Sequence, residues 1–430
     1  MKHVSPQRRR FLQRAGAMAL TPLCSPSRAS SATIATRRRV AVIGGGYGGA
    51  TAARYLRLWG GERIDVTLIE MGQAFVSCPL SNLVLGGSKS MADITVSYAN
   101  LEKSGVRVVQ DTATAIDVDR KTVRLARGEP VPYDRLIISP GVDFLWSQIP
   151  SLTTDDARSR VPHAWKAGPQ TLALRRELEG MRDGGVFAIA IPLAPFRCPP
   201  GPYERACQVA WYLKRAKPKS KVLVLDANPE ITTKPALFRR AFDETYKGLI
   251  EYRANQALTD VDPATRTASF ELDDPVKAEV LNVIPPQSAA AIARSAGVVT
   301  ANDRWCEVEF TTMESIRVKH VHVLGDAVQI APNMPKSGHM ANQQAKVCAA
   351  AVIALLADAP VDPAPVMNNT CYSFITDREA VHVASVHRYD ATKKTMMPVP
   401  EAAGVSQAMS AEEGRYGLAW AQSIWADMLG

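Results

Sequence analysis

The stretch Arg39-Val-Ala-Val-Ile-Gly-Gly-Gly-Tyr-Gly-Gly49 decides the fold of the first part of this chain. Its β-branched apolar run is typical of a buried parallel strand, and the residues after Gly49 favour a helix. Gly44 permits a tight turn, Gly46 lets backbone N–H groups approach a pyrophosphate, and Gly49 lets the helix pack closely on the strand. The next predicted strand ends at Glu70, which is placed to accept hydrogen bonds from an adenosine ribose. Together these features predict a dinucleotide-binding unit.

A second unit of this kind lacks the glycine-rich turn. The strand predicted at 186–191 runs into Cys198-Pro-Pro-Gly-Pro202, and proline has no N–H to offer to a pyrophosphate. Cys198 follows Arg197 and precedes a helix whose first turn suits Pro202. A neighbouring cation and a helix N-terminus both predict that Cys198 is held as a thiolate. A structural disulfide is the alternative, and in either case the nicotinamide site is predicted to be lost.

Two further segments indicate which dinucleotide the first unit binds. The strand ending in Gly325-Asp326 and the turn Ser139-Pro-Gly141 resemble the flavin-binding segments of flavoproteins with two dinucleotide folds, which implies FAD. In that resemblance Gly325 and Asp326 contact the ribityl chain, and Gly141 closes the first FAD segment. Taken alone, Asp326 is equally typical of a helix N-cap. Lys336 and His339, near the start of the following helix, are predicted to stabilise negative charge on the reduced flavin.

Length and composition agree with a large α/β protein. The chain has 430 residues, of which 46% are hydrophobic, enough for two to three domains. We expect two dinucleotide-binding-like (Rossmann-type) domains, as in the disulfide oxidoreductase flavoproteins, plus a C-terminal α+β domain. The FAD-binding domain is predicted at 37–150 and 300–365. The second domain is predicted at 151–299 and the C-terminal domain at 366–430.

The N-terminal segment is predicted to be a targeting signal rather than part of the folded domains. Gln7-Arg-Arg-Arg-Phe-Leu-Gln13 resembles a twin-arginine export signal, and the apolar stretch that follows is too short to span a bilayer. Cleavage after Ala32 would place the mature chain in the periplasm, and a merely basic tail is the alternative. Residues 1–32 carry six basic residues and no acid, so most of the formal charge of +9 leaves with them. The charge therefore gives no reason to expect nucleic acid, and no later apolar run predicts an integral membrane segment.

The cysteines of the mature chain have different surroundings. Cys207 and Cys348 lie in apolar helical patterns and are predicted to be inert core thiols, whereas Cys306 receives no role. Cys371 has polar and aromatic neighbours that are not typical of a core thiol. Cys78 follows the ribose-binding strand early enough to lie beside the isoalloxazine ring of a flavin.

Several of these segments together resemble the flavoprotein subunit of flavocytochrome c sulfide dehydrogenase. The resemblance extends over about residues 37–430, and the Cys-Pro-Pro-Gly-Pro-Tyr-Glu element is its most specific part. The segments that carry it are Ser77-Cys-Pro-Leu-Ser-Asn-Leu-Val-Leu-Gly-Gly87, Cys198-Pro-Pro-Gly-Pro-Tyr-Glu204, Leu324-Gly-Asp326, Asn369-Thr-Cys-Tyr-Ser373, Tyr416 through Trp420, and Ala426-Asp-Met-Leu-Gly430.

The resemblance implies a role for each matching residue. Cys198 and Cys371 match a redox-active disulfide beside the flavin, and Glu204 matches a carboxylate near that disulfide. Cys78 matches the cysteine that holds the flavin as a thioether. Pro79 stands where some relatives carry an aromatic residue, so noncovalent FAD is the alternative. An exposed, helix-capping Glu204 is the alternative to a proton-accepting one.

The implied reaction is the oxidation of hydrogen sulfide to sulfur or polysulfide. Sulfide attacks the disulfide, and the electrons reach FAD and then a separate c-type cytochrome subunit. Because this chain has no Cys-x-x-Cys-His motif, haem is expected only on that partner. A sulfide:quinone oxidoreductase is the alternative enzyme, although residues 411–430 are polar for a membrane-binding end. A flavoprotein accessory to a sulfur-oxidising complex, without steady turnover, is the third possibility.

Overall fold

A computed structural model describes residues 37–430, and the predicted export signal lies outside them. The strands are β1 Arg38–Ile43, β2 Ile64–Glu70, β3 Ala74–Val76, β4 Thr95–Ser97, β5 Arg107–Gln110, β6 Ala113–Asp117, β7 Thr122–Leu125, β8 Val131–Pro132, β9 Arg135–Ile138, β10 Val142–Phe144, β11 Val186–Ile191, β12 Lys221–Asp226, β13 Ile250–Arg253, β14 Leu258–Asp262, β15 Thr267–Phe270, β16 Val276–Lys277, β17 Val280–Val283, β18 Gln287–Ala289, β19 Val308–Glu309, β20 Glu314–Ser315, β21 Val321–Val323, β22 Val366–Phe374, β23 Ala380–Asp390, β24 Thr395–Pro398 and β25 Gly404–Val405. The α-helices are α1 Tyr47–Gly60, α2 Ser81–Gly86, α3 Ala99–Lys103, α4 Asp155–Arg160, α5 Pro169–Gly180, α6 Gly201–Ala216, α7 Pro235–Arg240, α8 Ala291–Ser295, α9 Gly338–Leu356 and α10 Ala411–Leu429.

The largest sheet has the strand order β19-β20-β21-β9-β1-β2-β5. Its five strands from β21 to β5 are parallel, and β1 pairs with both β2 and β9. The central strand β1 is buried along most of its length, as the apolar run at 40–43 predicts. Since the carboxyl ends of parallel strands meet at one edge, the segments after β1, β2, β9 and β21 converge there.

A second parallel sheet has the order β13-β12-β11-β17. Its strand β11 coincides with the strand predicted at 186–191, and α6 begins at Gly201 with Pro202 in its first turn, as predicted. The antiparallel strands β22, β23, β24 and β25 together with α10 form the C-terminal α+β part. The fold class predicted from the sequence is therefore confirmed, while the exact domain boundaries stay a prediction.

None of the helices within residues 37–430 combines the length and the apolar character needed to cross a lipid bilayer.

Candidate functional site

A cavity of about 660 Å³ lies at the carboxyl edge of the large sheet. It is lined by all of the sequence-predicted site residues except Gly49 and Gly325: Gly44, Gly46, Glu70, Cys78, Gly141, Cys198, Glu204, Asp326, Lys336, His339 and Cys371. The chain thus brings residues from the large sheet, the second sheet and the C-terminal strands to one space.

The glycine-rich turn forms one end of this cavity. Gly44 has a φ of +93°, and a Cβ there would lie 2.3 Å from the Ser139 carbonyl oxygen. A Cβ on Gly49 would lie 1.8 Å from the Gly44 oxygen, so only glycine lets α1 pack this closely against the turn. Gly46 caps α1 with no side-chain hydrogen bond, and nothing lies within 4 Å of the position a Cβ would take. This geometry leaves the helix N-terminus open to a phosphate group.

Glu70 lies at the end of β2 and lines the same end of the cavity. Its Oε2 accepts a hydrogen bond from the Gly45 N–H at 2.5 Å, and its Oε1 accepts one from Gly72 at 2.7 Å. The hydroxyl of Tyr98 donates to the Gly45 carbonyl at 3.0 Å. The carboxylate is therefore fixed beside the glycine-rich turn, where the sequence predicted a ribose-binding acid.

Gly325 and Asp326 form a short 3-10 helix, Gly325–Ala327, rather than the start of α9. The Gly325 N–H donates to Gln344 Oε1 at 2.8 Å, which places Gly325 behind the cavity wall. The N-cap of α9 is Ser337, whose Oγ accepts from the Met340 N–H at 3.0 Å. The N-cap interpretation of Asp326 is therefore wrong, and Asp326 lies on the cavity wall instead.

Lys336 and His339 line the cavity at the beginning of α9. The ammonium of Lys336 donates to the carbonyls of Asp326 and Val328 at 2.9 and 2.6 Å and lies 3.6 Å from the centre of the Trp305 ring. Burial lowers the pKa of Lys336 to about 7. His339 Nδ1 accepts from a backbone N–H at 3.0 Å, and burial lowers its pKa too, so the neutral imidazole is favoured. Of the two predicted cations, only Lys336 is available to carry charge near neutral pH.

Cys198 lies in the loop between β11 and α6 with a φ of +55°. Its N–H donates to the Lys336 carbonyl at 2.8 Å, which joins the two sides of the cavity wall. Burial raises the pKa of the Cys198 thiol, and negative charge on Glu204 and Cys371 raises it further, whereas Arg197 lowers it. The prediction that Cys198 is held as a thiolate is therefore wrong for the reduced cysteine, because desolvation outweighs the neighbouring cation.

Arg197 interacts with a different cysteine from the one expected. Its guanidinium donates to Cys78 Sγ and to the Trp165 carbonyl. The Cys78 sulfur also accepts from the Ala167 N–H at 3.4 Å. Arg197 thus fixes the Cys78 side chain on the cavity wall.

Cys371 lies on β22 and faces the cavity together with Cys198. Asn369 Nδ2 donates to the Cys371 sulfur at 3.4 Å. Negative charge on Cys371 would raise the pKa of Cys198. Cys207, Cys306 and Cys348 are buried in the core and lie off the cavity wall.

Glu204 is 7% exposed and lies in the first turn of α6. Its two carboxylate oxygens accept from Asn82 Nδ2 and from the Phe374 N–H, each at 2.8 Å. Burial raises the pKa of Glu204, although these two hydrogen bonds lower it. The interpretation of Glu204 as an exposed capping residue is therefore wrong, since its side chain points to the interior near both thiols.

Three protein-family models match the chain. The model described as pyridine nucleotide-disulphide oxidoreductase matches residues 38–167. The central part of the sulfide dehydrogenase [flavocytochrome c] flavoprotein chain matches residues 171–285, and the flavin-binding model of flavocytochrome c sulphide dehydrogenase matches residues 363–429.

Individual relatives of the chain are also named as sulfide dehydrogenases or sulfide:quinone oxidoreductases. The sulfide dehydrogenase [flavocytochrome c] flavoprotein chain of Chlorobaculum thiosulfatiphilum is 55% identical over 47 residues, which are 11% of this chain and 96% of that sequence. The mitochondrial sulfide:quinone oxidoreductase of Dictyostelium discoideum is 22% identical over 316 residues, or 70% of this chain and 66% of that one. The solved sulfide:quinone oxidoreductase of Aquifex aeolicus shares the fold, with a TM-score of 0.73, 20% identity and 91% of both chains covered.

The chain belongs to a family of sulfide-oxidising flavoproteins. The cavity of this flavoprotein fits FAD, because its turn presents backbone N–H groups for a pyrophosphate, and Glu70 lies where a ribose follows. Asp326 and Gly141 line the same cavity as the cysteines.

The second nucleotide position of the flavoprotein is filled by its own side chains. Asp226 ends β12, as Glu70 ends β2, but it is completely buried. Its Oδ2 accepts from the hydroxyls of Tyr203 and Tyr252 at 2.7 and 3.0 Å, and its Oδ1 accepts from Asn228 Nδ2 at 2.7 Å. Its Oδ1 also accepts from the Asn228 N–H at 3.0 Å, so all four acceptor positions of the carboxylate are used and none is left for a ribose hydroxyl. This arrangement adds a second reason, beyond the prolines, for the predicted loss of the nicotinamide site.

Sequence reasoning missed several residues that hold this site together. Asn82 belongs to a segment that carries the family resemblance, so its presence in the site could have been predicted from the sequence. In the structure it donates a hydrogen bond to Glu204. Trp420 ends a segment that carries the resemblance but was given no role in the site, yet it lines the cavity, and Trp425 donates to the Tyr47 hydroxyl at 3.2 Å. Lys234, which binds the backbone of Cys371, had no signal in the sequence.

Proposed function

We propose that the protein is a periplasmic subunit that oxidises hydrogen sulfide to sulfur or polysulfide and passes the electrons through FAD to a c-type cytochrome. Cys198 and Cys371 are its redox-active pair. The observation that carries the proposal is that both cysteines face the same cavity as the dinucleotide-binding turn, with Glu204 beside them. The predicted export signal at 1–32 is the basis for the periplasmic location.

The cysteine pair performs the sulfur chemistry. HS⁻ attacks one sulfur of a Cys198–Cys371 disulfide, so a new S–S bond forms to sulfide while the old one breaks and leaves a thiolate on the other cysteine. A second HS⁻ attacks the outer sulfur of the persulfide and releases HS–SH, which leaves two thiolates. The two thiolates return to the disulfide, and a bound FAD would take up the two electrons that they lose. FAD supplies the capacity to take two electrons together and to pass them on singly.

Glu204 is the proton acceptor of the proposed reaction. Its buried carboxylate has a raised pKa and lies near both thiols, which is the environment a general base requires. Asn82 and the Phe374 N–H fix its orientation from opposite oxygens. An incoming H₂S would give its proton to this group and then attack the disulfide as HS⁻.

Cys78 is proposed to hold the flavin through a thioether. It lines the cavity, and Arg197 and the Ala167 N–H fix its sulfur there. Acid precipitation of the purified protein should leave the yellow colour in the pellet, and Cys78→Ser should release it into the supernatant. Release of flavin from the wild-type protein would show noncovalent binding.

The two candidate enzymes, flavocytochrome c sulfide dehydrogenase and sulfide:quinone oxidoreductase, differ in their electron acceptor. The two flavocytochrome c family models, which include the segments with Cys198 and Cys371, favour a cytochrome. The relatives named as sulfide:quinone oxidoreductases favour a quinone as the second candidate. After reduction by sulfide, the protein should be reoxidised rapidly by a c-type cytochrome and slowly by a soluble quinone analogue; the reverse order would assign the quinone.

The reaction itself is tested by anaerobic titration of the mature protein with sulfide. We expect the oxidised flavin band to bleach in the wild type, and the bleaching rate to fall at least about 1000-fold in Cys198→Ser, because the nucleophilic attack loses its target. Cys207→Ala is a matched control, since Cys207 lies on α6 but in the core, and it should bleach like the wild type. Bleaching by NADH rather than sulfide would contradict the proposal. Bleaching by sulfide without turnover in the presence of either acceptor would indicate the accessory role instead.

A further inference from the structure

Lys234 is a buried lysine in the loop between β12 and α7. It is 6% exposed and has a φ of +51°, immediately before Pro235. The loop that carries Cys198 follows β11, and β11 is the neighbour of β12 in the second sheet. Lys234 and Cys198 therefore come from adjacent loops at the same edge of that sheet.

The side chain of Lys234 reaches the strand that carries the other redox cysteine. Its Nζ donates to Ser373 Oγ at 2.8 Å and to the main-chain oxygen of Cys371 at 3.2 Å. Both partners lie on β22, and both are uncharged. The contact joins the second sheet to the C-terminal strands at the residue where sulfide chemistry is proposed.

A buried ammonium with neutral partners is costly unless negative charge forms nearby. Burial lowers the pKa of Lys234, whereas Cys371, Glu204, Cys198 and Glu413 raise it. These acidic groups face it from three elements and one loop: β22, α6, α10 and the segment before α6. Opening of the disulfide adds a thiolate and a persulfide to this set, so the charge of Lys234 is most useful during the reaction.

We propose that Lys234 is a positioning residue for the sulfide reaction, which holds the Cys371 backbone and stabilises the negative charge left on the cysteine pair once sulfide has opened the disulfide. The inference rests on the proposed function of Cys198 and Cys371. In the step concerned, HS⁻ forms a bond to one sulfur and the electron pair of the broken S–S bond remains on the other. Lys234 gains and loses no bond in this step, and its ammonium acts through its field and its hydrogen bonds.

The test measures the acidity of the cysteine pair separately from turnover. The FAD-loaded protein is reduced with dithiothreitol, desalted without oxygen and alkylated with iodoacetamide over a range of pH, and the modification of Cys198 and Cys371 is followed by mass spectrometry. In Lys234→Met the midpoint of alkylation should move about one pH unit higher than in the wild type, since a neighbouring cation favours the thiolate. The rate of flavin bleaching by sulfide at neutral pH should fall about tenfold. Lys234→Arg should stay close to the wild type in both measurements.

Lys221→Met is the control, because Lys221 is exposed at the beginning of β12, and neither measurement should change. If the alkylation profile of Lys234→Met coincides with that of the wild type, Lys234 has no electrostatic role and the inference is wrong, whatever happens to the rate. If Lys234→Met does not retain flavin, Lys234→Gln is used instead, because glutamine keeps a hydrogen-bond donor without the charge. Its alkylation midpoint is then compared with that of the wild type in the same way. Failure of the wild type to bleach with sulfide would overturn the proposed function, while the alkylation midpoints would still report on the charge of Lys234.

Discussion

Glu204 combines two properties at a single residue: it is buried, with 7% of its surface exposed, and it accepts hydrogen bonds on both carboxylate oxygens. Its partners, Asn82 and the Phe374 N–H, come from α2 and β22, so the carboxylate joins α6 to two other elements. Burial favours the protonated form and the hydrogen bonds favour the ionised one, and burial is the larger effect. A carboxyl group with a raised pKa is a stronger base than an ordinary carboxylate and holds an accepted proton more readily.

The rate of flavin reduction by sulfide should therefore increase with pH as Glu204 ionises. Glu204→Gln should remove this increase and lower the rate by about 100-fold, because the amide cannot accept the proton. The measurement is stopped-flow bleaching at several pH values with the concentration of H₂S held constant, and the rate of Glu204→Gln is subtracted at each pH so that direct attack by HS⁻ from solution does not contribute. A Glu204→Gln protein that keeps the wild-type pH profile would show that another group takes the proton.

Cys198 and Arg197 are two residues whose positions in the chain were predictable but whose side-chain environments were not. Because Arg197 is next to Cys198 in the sequence, its cation was predicted to lie beside the thiol and to favour the thiolate. In the structure the guanidinium of Arg197 donates a hydrogen bond to Cys78 instead, and burial raises the pKa of Cys198. Residue type and position along the chain were predictable. The direction of a side chain and the extent of its burial depend on the packed fold, and those were not.

The C-terminal helix α10 forms part of the site as an element. Gly414 in its first turn lies against the Arg378 carbonyl, which belongs to the turn between β22 and β23, and a Cβ there would be 1.7 Å from that oxygen. Further along the helix, Trp420 lines the cavity. The close contact at Gly414 therefore fixes the distance between α10 and the strands that carry Cys371.

Gly414→Ala should destabilise the protein by about 1–3 kcal/mol, because α10 must move away from a backbone atom that cannot yield. The apparent Tm should fall, and flavin should be released at a lower temperature than in the wild type. Gly180→Ala is the matched control, since Gly180 ends α5 with nothing within 4 Å of a new Cβ, and its Tm should be unchanged or slightly higher. Equal melting of the two variants would show that α10 tolerates displacement.

Elements with a strict local requirement were predictable from the sequence. The glycine turn at 44–49 and strand β11 agree with expectation because steric limits and apolar runs are local properties. The helix after Gly325-Asp326 was predicted to start near Lys336 and His339, and α9 does begin at Gly338. Its N-cap is Ser337 and not Asp326, whose interpretation as an N-cap rested on residue type alone.

On the scale of the whole molecule, three parts of the chain contribute to one cavity. The large sheet provides the nucleotide end, the second sheet provides Cys198 and Glu204, and β22 provides Cys371. The fold class and this convergence followed from the family resemblance together with the strand and glycine patterns. The bonds that link the parts, such as the one from Lys234 to the Cys371 carbonyl, arise between residues more than 100 positions apart and had no local signal.

The hydrogen bonds of Asp226 have a consequence for selectivity between electron carriers. A dinucleotide entering the second sheet would have to displace the hydroxyls of Tyr203 and Tyr252, and any contact it gained would be offset by one that was lost. Discrimination against NADH would then be an equilibrium property of the folded chain. Only a nucleotide concentration far above the ordinary range would overcome so low an affinity. At lower concentrations the flavin would exchange electrons with sulfide and its acceptor independently of the nicotinamide redox balance of its surroundings.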